Sequence, residues 1–152
     1  MQWEDASCSR ETQVAVGRRT LHGGGRVNNH GFKDLIVWQK AMTLAKEIYT
    51  LVKNLPKEEM YALSNQMRRA AVSIPSNIAE GQGRTSPKEF AQFLSIANGS
   101  KAELETQLLL CIELGYIEKR DTIIAAGLID EIGKILYAMR KKLQQRAAGG
   151  IS

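Results

Sequence analysis

The stretch that decides the fold reads LIVWQKAMTLAKEIYTLVKNL and spans residues 35–55. Its apolar side chains recur three and four positions apart, which is the period of one face of an α-helix. The polar positions between them, such as Lys46 and Lys53, fall on the opposite face. The spacing therefore predicts an amphipathic helix that packs on a core. Its core stripe consists of Trp38, Ala41, Ala45, Ile48, Val52 and Leu55.

The apolar face of this first helix is wider than one bundle needs. Val37, Leu44 and Leu51 flank the stripe on one side, and Met42 and Tyr49 flank it on the other. A helix in a monomeric bundle needs roughly three apolar positions in seven. The excess predicts that these five residues are buried against a second subunit. The alternative is that the wide face packs between two neighbouring helices of its own bundle.

A second helix is predicted where the same period continues over residues 60–78. Pro75 lies inside it, lacks a backbone N–H and collides with the carbonyl four residues before it. The helix must therefore kink at Pro75, or break there and restart with Ser76 or Asn77 as its cap. Gly81 is predicted to supply the turn that ends it.

Two further helices follow in the sequence. Ser86 can cap a third helix, with Pro87 at its first position and Glu89 where a capping box needs a carboxylate. Asp121 is predicted to cap a fourth helix. Four amphipathic helices joined by short links make consecutive helices antiparallel. The sequence therefore predicts an all-α protein, an antiparallel up-down-up-down four-helix bundle over residues 32–146.

The two ends of the chain differ from the predicted bundle. Residues 1–31 hold four Arg, no Lys, a run of three glycines and no regular period, so we expect a flexible tail. The alternatives are translated sequence upstream of a natural start at Val27, and a transit peptide, which three acidic residues disfavour. Residues 147–152 are predicted to be a flexible C-terminus. No stretch is apolar over the roughly 18 residues of a membrane-spanning helix, so we expect a cytoplasmic protein without membrane contact.

The sequence offers little for catalysis. Its histidines, His22 and His30, lie in the tail, and the predicted bundle holds one cysteine, Cys111. Nucleophilic catalysis needs a base beside the nucleophile, and di-metal bundles need a Glu-x-x-His motif on two helices. Both are missing, and so are the glycine-rich motifs of nucleotide-binding loops. We therefore expect no enzyme, no metal and no cofactor, and we expect Cys111 to be a core residue.

Basic side chains form two candidate contacts for RNA or DNA. The chain carries 21 Lys and Arg against 16 Asp and Glu, which permits attraction to polyanions without requiring it. The first cluster is Arg68, Arg69, Arg84 and Lys88, and the second is Arg140, Lys141, Lys142 and Arg146. Either could contact phosphates. The alternatives are a solvated helix face or ion pairs for the first, and interaction with the helix dipole for the second. Aromatic residues that would stack on bases are not interleaved with either.

Three stretches carry a family resemblance. They are FKDLIVWQKA at residues 32–41, SIPSNIAEG at 73–81 and EFAQFLSIANGSKAELET at 89–106. Together they resemble the four-helix bundle proteins associated with intervening sequences of bacterial 23S ribosomal RNA. The chain is similar, more distantly, to the accessory protein of diversity-generating retroelements, which binds nucleic acid and a reverse transcriptase. The resemblance implies a ring-like homo-oligomer, a pentamer, without catalytic activity.

The shared motifs are expected to be mainly structural, and their residues are Pro75, Asn77, Glu80, Gly81, Gly99, Ser100 and Glu103. Ser76 and Asn77 should satisfy backbone groups that the proline leaves free. The Gly-Ser pair should leave room for the second helix to pass. The basic partners expected for the two glutamates are Arg68, Arg69 and Lys101. The alternative is that this polar seam lies at a subunit junction and contacts a ligand or RNA.

Two functions are compatible with these features. The first is an oligomeric scaffold whose basic faces contact RNA or DNA phosphates, with little readout of base sequence. The second is a protein-interaction adaptor that docks a partner such as a reverse transcriptase or a ribosome assembly factor. Because only phosphate binding weakens steeply as salt rises, salt dependence separates the two.

Overall fold

The computed structural model describes residues 31–150, which form four long α-helices and no β-strand. The helices are α1 Ile36–Leu51, α2 Leu63–Gln82, α3 Pro87–Glu113 and α4 Ile123–Gly149. Short 3-10 turns precede α1, connect α1 to α2 and lead into α4. The prediction of an all-helical fold is confirmed for this part of the chain. The predicted tail, apart from its last residue, lies outside the described residues.

The four helices surround one hydrophobic core, as the helices of a four-helix bundle do. Each helix packs on its neighbours in the chain, and α1 also packs on α4. An ion pair between Lys40 of α1 and Glu131 of α4 spans this last contact. The largest fully buried hydrophobic side chains come from all four helices and include Leu44, Ile48, Met67, Ile74, Ile78, Leu94, Leu104, Ile132 and Leu136.

Three contacts describe how α2 lies on α3. From the start of α2 to its end, the contacting pairs are Met67–Cys111, Ser73–Ser100 and Gly81–Phe90. Later positions of α2 therefore meet earlier positions of α3. The prediction that α2 passes close to Ser100 is confirmed. Cys111 is buried in this contact, as predicted, and burial, reinforced by the charge of Glu59, raises the pKa of its thiol from 9.0 to about 11.

The wide apolar face of α1 is largely used inside the protomer. Val37, Leu44 and Leu51 are buried in its own core, with exposed fractions of 1%, 0% and 4%. They have no surface left for a second subunit, so their assignment to an oligomer interface is corrected. The alternative arrangement, packing between neighbouring helices, is the one observed for this stripe. Met42 is half-buried and Tyr49 is exposed, so the opposite stripe still reaches the surface.

α2 runs without interruption through Pro75, which is itself buried. The break-and-restart alternative is therefore wrong. Ser76 Oγ donates to the carbonyl of Val72 at 2.8 Å, and Asn77 Nδ2 donates to the carbonyl of Ser73 at 2.8 Å. The carbonyl that loses its usual donor is that of Ala71, four positions before Pro75, so the prediction that Ser76 and Asn77 satisfy the freed group is wrong.

The helix ends test the cap predictions. Ser86 accepts a hydrogen bond from the N–H of Glu89 at 3.5 Å, and Pro87 is the first residue of α3, so this predicted start is confirmed. Asp121 does not cap α4. It lies in the 3-10 turn Lys119–Thr122, where the Thr122 hydroxyl donates to the carbonyl of Lys119 at 2.8 Å, and α4 begins only after this turn.

The C-terminal ends of α3 and α4 differ from each other: a glycine with positive φ follows α3, and α4 ends later than predicted. After α3 the backbone of Gly115 has φ +73°, a conformation that suits glycine. The N–H groups of Gly115 and Tyr116 donate to the carbonyls of Ile112 and Cys111, which closes the end of the helix. α4 extends to Gly149, so residues 147–149 of the predicted C-terminal segment are helical, and its residues 151–152 lie outside the described residues.

Candidate functional site

The first predicted basic cluster is not one cluster in the structure. Arg68 and Arg69 lie in the first half of α2, whereas Arg84 and Lys88 lie beyond its end. The 16 positions from Arg68 to Arg84 correspond to about 24 Å along a helix axis. The grouping of these four residues is therefore corrected, because α2 separates them along its length.

Arg68 is held against an aromatic ring. Its guanidinium carbon lies 5.6 Å from the centroid of the Tyr49 ring, within the range of a cation–π contact. Arg69, Asn65 and Val72 line the same shallow depression. The side chain of Arg68 is half-buried, and that of Arg69 is exposed. This pair forms a small basic patch at the α1–α2 contact.

The ion pairs expected for the two motif glutamates are not the ones observed. Glu80 accepts from Arg84 at 2.8 Å, one turn further along the chain. Glu103 accepts from Gln107 Nε2 at 3.3 Å, and Lys101 pairs with Glu105 at 3.4 Å. In each pair the two residues are four positions apart, which is about one helical turn, where side chains lie close together. The expected pairing of these glutamates with Arg68, Arg69 or Lys101 is therefore wrong.

Arg84 is also constrained from the other side. Its guanidinium carbon lies 4.9 Å from the centroid of the Phe93 ring on α3, while its Nη2 donates to Glu80. A carboxylate and a ring therefore both engage this cation. Its charge is less available to an external phosphate than that of an unpaired arginine.

The structure instead places Lys88 and Arg140 in the lining of one depression between α3 and α4. Arg140 also lines a second depression on the same helix pair. We call the two together the α3–α4 groove. Its first half is lined by Lys88, Ala91, Gln92, Ser95, Arg140, Gln144, Ala147 and Ala148. Its second half is lined by Asn98, Lys101, Glu105, Asp130, Gly133, Lys134, Tyr137 and Arg140.

Two of the groove cations have carboxylate partners. Lys101 pairs with Glu105 at 3.4 Å, and Lys134 pairs with Asp130 at 2.7 Å. The hydrogen bond to Asp130, together with the charge of that carboxylate, raises the pKa of Lys134. The second half of the groove is therefore close to electrical balance apart from Arg140.

The other two groove cations, Lys88 and Arg140, have no carboxylate within ion-pair distance among residues 31–150. The Nε atom of Arg140 is moreover buried without a hydrogen-bond partner. A buried guanidinium N–H without an acceptor is unfavourable, because it has lost water and gained nothing in exchange. Because this Nε is closed to solvent, an oxyanion in the groove would bind the terminal guanidinium nitrogens of Arg140 instead.

The remaining predicted basic residues lie on the last turns of α4. Lys141, Lys142 and Arg146 are exposed, and they follow Arg140 toward the end of the helix. Cations there are favoured by the helix dipole, so dipole compensation accounts for part of their presence. They extend the positive charge of the groove along the outside of α4.

Only some of the motif residues pack between α2 and α3, and Gly81 packs most tightly. A Cβ atom at Gly81 would lie 2.7 Å from Cδ2 of Phe90 and 2.8 Å from Cβ of Phe93. Gly81 is therefore needed for close approach inside α2, and the prediction that it forms a turn is wrong. At Gly99 an added Cβ would meet no atom within 4 Å, so the predicted need for space there is also wrong.

Hydrogen bonds between Ser73, Asn77 and Ser100 also join α2 to α3, and we call these three residues the polar lock. The hydroxyl oxygens of Ser73 and Ser100 lie 2.8 Å apart, and Asn77 Nδ2 donates to Ser73 Oγ at 3.0 Å. All three side chains are half-buried. The motif residues Ser73, Asn77 and Ser100 thus join two helices of one protomer.

The described residues provide no sign of a metal centre or of a membrane helix. In the part of the chain that the structure covers, no group of three or more His, Cys, Asp or Glu side chains is placed to hold a metal ion. No helix there is both long and apolar enough to cross a bilayer.

The groove contains functional candidates that the sequence reasoning missed. Tyr137 lines it with 67% of its surface exposed, next to Lys101 and Lys134. Tyr137 lies three positions before Arg140, which places both on one face of a helix. From this spacing the sequence could have predicted that an aromatic residue lies on the same helix face as Arg140 of the second basic cluster.

Comparison with known proteins identifies the relatives of this bundle. The model of a family described as 23S rRNA-intervening sequence protein matches residues 33–138. The chain belongs to this family. The 23S rRNA-intervening sequence match includes α1, α2, α3 and most of α4, covers the motif stretches except Phe32, and ends just before Arg140. The cations of the last turns of α4 thus lie beyond it.

A solved structure supports the family assignment. The chain is similar to a protein of unknown function from the S23 ribosomal protein family of Bacteroides thetaiotaomicron, whose crystal structure was determined at 1.70 Å resolution. The two are 30% identical, the TM-score is 0.65, and the similarity covers 70% of this chain and 99% of the other. No curated protein matches the chain. The 23S rRNA-intervening sequence family thus gives the fold and the relatives of the chain.

Proposed function

We propose that this protein is a non-catalytic scaffold that binds RNA or DNA through the α3–α4 groove and the adjoining turns of α4. One observation carries the proposal. Lys88 and Arg140 come from distant parts of the sequence, share one groove, and have no carboxylate partner in the described part of the chain. Unpaired cations that converge on a concave surface favour a polyanionic ligand, whose phosphates displace counterions.

Two further points support nucleic acid as the ligand. The family description refers to ribosomal RNA, which is a polyanion. The exposed cations Lys141, Lys142 and Arg146 continue the positive surface beyond the groove. Arg68 and Arg69 form a separate, smaller patch, and Arg84 is engaged by Glu80, so we assign these three a secondary role.

The scaffold that we propose is antiparallel, with helices running up-down-up-down, and bent at Pro75. The order of the α2–α3 contacts supports the antiparallel arrangement, and the missing N–H of proline supports the bend. We further propose a ring-like homo-oligomer, a pentamer, in which Met42 and Tyr49 contribute to the subunit contact. Light scattering that gives a monomer mass at micromolar concentration contradicts the ring.

The absence of catalysis is also part of the proposal. The histidines of the chain, His22 and His30, are both outside the described residues. Cys111 is fully buried, and the raised pKa keeps its thiol protonated near neutral pH, which makes it a poor nucleophile. Neither a cofactor nor a metal is needed for binding phosphates with lysine and arginine.

A mobility-shift titration at increasing salt tests the proposed function. The double variant Lys88→Glu/Arg140→Glu reverses both unpaired groove charges and is expected to weaken binding of RNA or DNA by at least about tenfold, with a shallower salt dependence. The matched control Lys46→Glu/Lys53→Glu makes an equal change in net charge on exposed positions of the first helical segment. Equal losses in both variants, or no complex with any nucleic acid at low salt, contradict the proposal.

A second candidate function has its own observation. The contact between α1 and α2 leaves an apolar groove lined mainly by Trp38, Met42, Ala45, Val72, Pro75 and Ala79. An exposed apolar surface favours a protein partner, such as a reverse transcriptase or a ribosome assembly factor. Binding of this kind depends weakly on salt, so a salt-insensitive complex that is lost in Val72→Lys favours the adaptor function.

A further inference from the structure

The α3–α4 groove combines an exposed aromatic ring with unpaired positive charge. Tyr137 is 67% exposed and lies one helical turn before Arg140. The same half of the groove also contains Asn98, whose side-chain amide can both donate and accept hydrogen bonds. An aromatic face, an amide and a cation are the groups with which proteins bind unpaired nucleotides.

Tyr137 differs from the other tyrosines of the described residues. The Tyr49 ring is covered by the Arg68 guanidinium, at 5.6 Å. The Tyr116 hydroxyl donates to Glu59 at 3.3 Å. Tyr61 is 88% exposed, but it lies in the turn before α2 and lines none of the grooves described above. Tyr137 is thus the exposed tyrosine that shares a concave surface with cations.

The charges divide the groove into two parts with different preferences. Around Tyr137, Glu105 and Asp130 neutralise Lys101 and Lys134, so a phosphate gains little there. Lys88 and Arg140 line the adjoining part and have no carboxylate partner among residues 31–150. A phosphate is therefore favoured beside Arg140, and a neutral base is favoured beside Tyr137.

Gly133 gives the groove its floor. It has no side chain, and a Cβ placed there would lie 3.2 Å from Lys101 Nζ. The Lys101 side chain therefore extends from α3 across α4 at this point, and only 16% of it is exposed. The Lys101 stem thus packs against α4 at Gly133, one helical turn before Tyr137, which is 67% exposed.

We propose that the α3–α4 groove is a binding site for single-stranded RNA or DNA, in which a base stacks on Tyr137 and the adjacent phosphate binds Arg140 and Lys88. The proposal rests on the proposed function and names its ligand class and its central residue. A duplex does not fit this chemistry, because its bases are stacked on each other and their faces are not available. Sequence preference should be weak, since every base has a face that can stack.

Fluorescence anisotropy of the full chain with labelled 12-nucleotide oligo-U and oligo-dT tests the site, beside a duplex of the same length. Tyr137→Ala should weaken binding of the single strands by about 5- to 100-fold without changing the salt dependence. Tyr137→Phe keeps the ring and should bind like the natural protein. Arg140→Gln should weaken binding and reduce the salt slope by about one. Tyr61→Ala, which removes an exposed tyrosine elsewhere, should have no effect.

The outcomes separate the site from the function on which it rests. If no nucleic acid binds at low salt, the proposed function fails, and the groove fails with it. If the natural protein binds but Tyr137→Ala binds equally well, or if the duplex binds more tightly than the single strands, only the single-strand site at Tyr137 is overturned. Equal binding of oligo-U and oligo-dT supports recognition by phosphate and base face, and a preference for oligo-U supports the same site with an added contact to the 2′-hydroxyl.

Discussion

The two sides of α3 differ in a way that separates structure from function. On one side, the seam with α2 is closed, with Gly81 packed under Phe90 and Ser73 bonded to Ser100. On the other side, the contact with α4 opens into the α3–α4 groove, where Arg140 lacks a partner in the described residues. The motif residues Ser73, Gly81 and Ser100 lie on the closed side, whereas Asn98, Lys101 and Glu105 of the third motif stretch line the groove. The comparison shows that one sequence stretch of α3 serves both sides: Ser100 holds α3 to α2, and Asn98 and Lys101 line the candidate ligand site.

The largest effect is expected where the closed seam is tightest. Gly81→Ala adds a Cβ atom within 2.7 Å of the Phe90 ring and 2.8 Å of Phe93 Cβ, so the two helices must move apart. Overpacking of this kind typically costs about 1–3 kcal/mol. We expect the free energy of unfolding to fall by about 2–3 kcal/mol, measured by urea denaturation.

Gly99→Ala is the matched control for this substitution. The added Cβ has no neighbour within 4 Å, and alanine favours the helix. The free energy of unfolding should therefore rise, by about 0.5–1 kcal/mol. Destabilisation of similar size in both variants would mean that the seam is not tighter than the outer face of α3.

The burial of Cys111 in the same seam should make the free energy of unfolding depend on pH. Because its pKa is raised from 9.0 to about 11, the unfolded chain ionises this thiol at lower pH than the folded protein does. Its contribution to stability is full below pH 9.0 and is lost as the pH rises to about 11. The expected loss is about 2 kcal/mol.

The measurement compares the natural protein with Cys111→Ala, so that other groups that titrate in this range cancel. The difference between their free energies of unfolding should shrink between pH 8 and pH 11. A difference that stays constant over this range would show that water reaches the thiol in the folded protein.

Local features of the fold could be predicted because they depend on residues within one turn of each other. The spacing of apolar residues predicts α1, and Ser86, Pro87 and Glu89 predict the start of α3. Asp121 looks like a comparable cap, but the 3-10 turn that contains it delays the start of α4. The space around a glycine depends on the neighbouring helix, so the sequence does not distinguish Gly81 from Gly99.

The candidate site was harder to predict, because it is made by packing. Lys88 and Arg140 lie far apart in the sequence, and only the contact between α3 and α4 brings them together. Arg84 is close to Lys88 in sequence, but its ion pair with Glu80 removes it from the same role. Tyr137 was within reach of sequence reasoning, since its spacing from Arg140 already places both on one helix face.

A smaller effect is expected at the polar lock. Ser100→Ala removes the hydroxyl that lies 2.8 Å from Ser73 Oγ, while Asn77 keeps its own bond to Ser73. One hydrogen bond between half-buried groups contributes about 1 kcal/mol. The free energy of unfolding should fall by about that amount in urea denaturation. Ser95→Ala, on the groove side of α3, is the control and should leave stability nearly unchanged, so equal losses would remove the distinction between the two sides of the helix.

The smallest effect on stability is expected in the groove, where Asp130→Asn breaks the ion pair with Lys134. Both side chains are more than half exposed, and pairs of this kind contribute little to folding, so urea denaturation should show no resolvable change. Binding should respond instead, because the substitution frees one lysine in the groove. We expect oligonucleotide affinity at low salt to rise roughly threefold.

Glu118→Gln, which removes an exposed carboxylate paired with Arg120 outside the groove, makes the same change in net charge. If the two variants gain affinity equally, the ligand responds to the charge of the whole protein, and the open side of α3 has no particular part in binding.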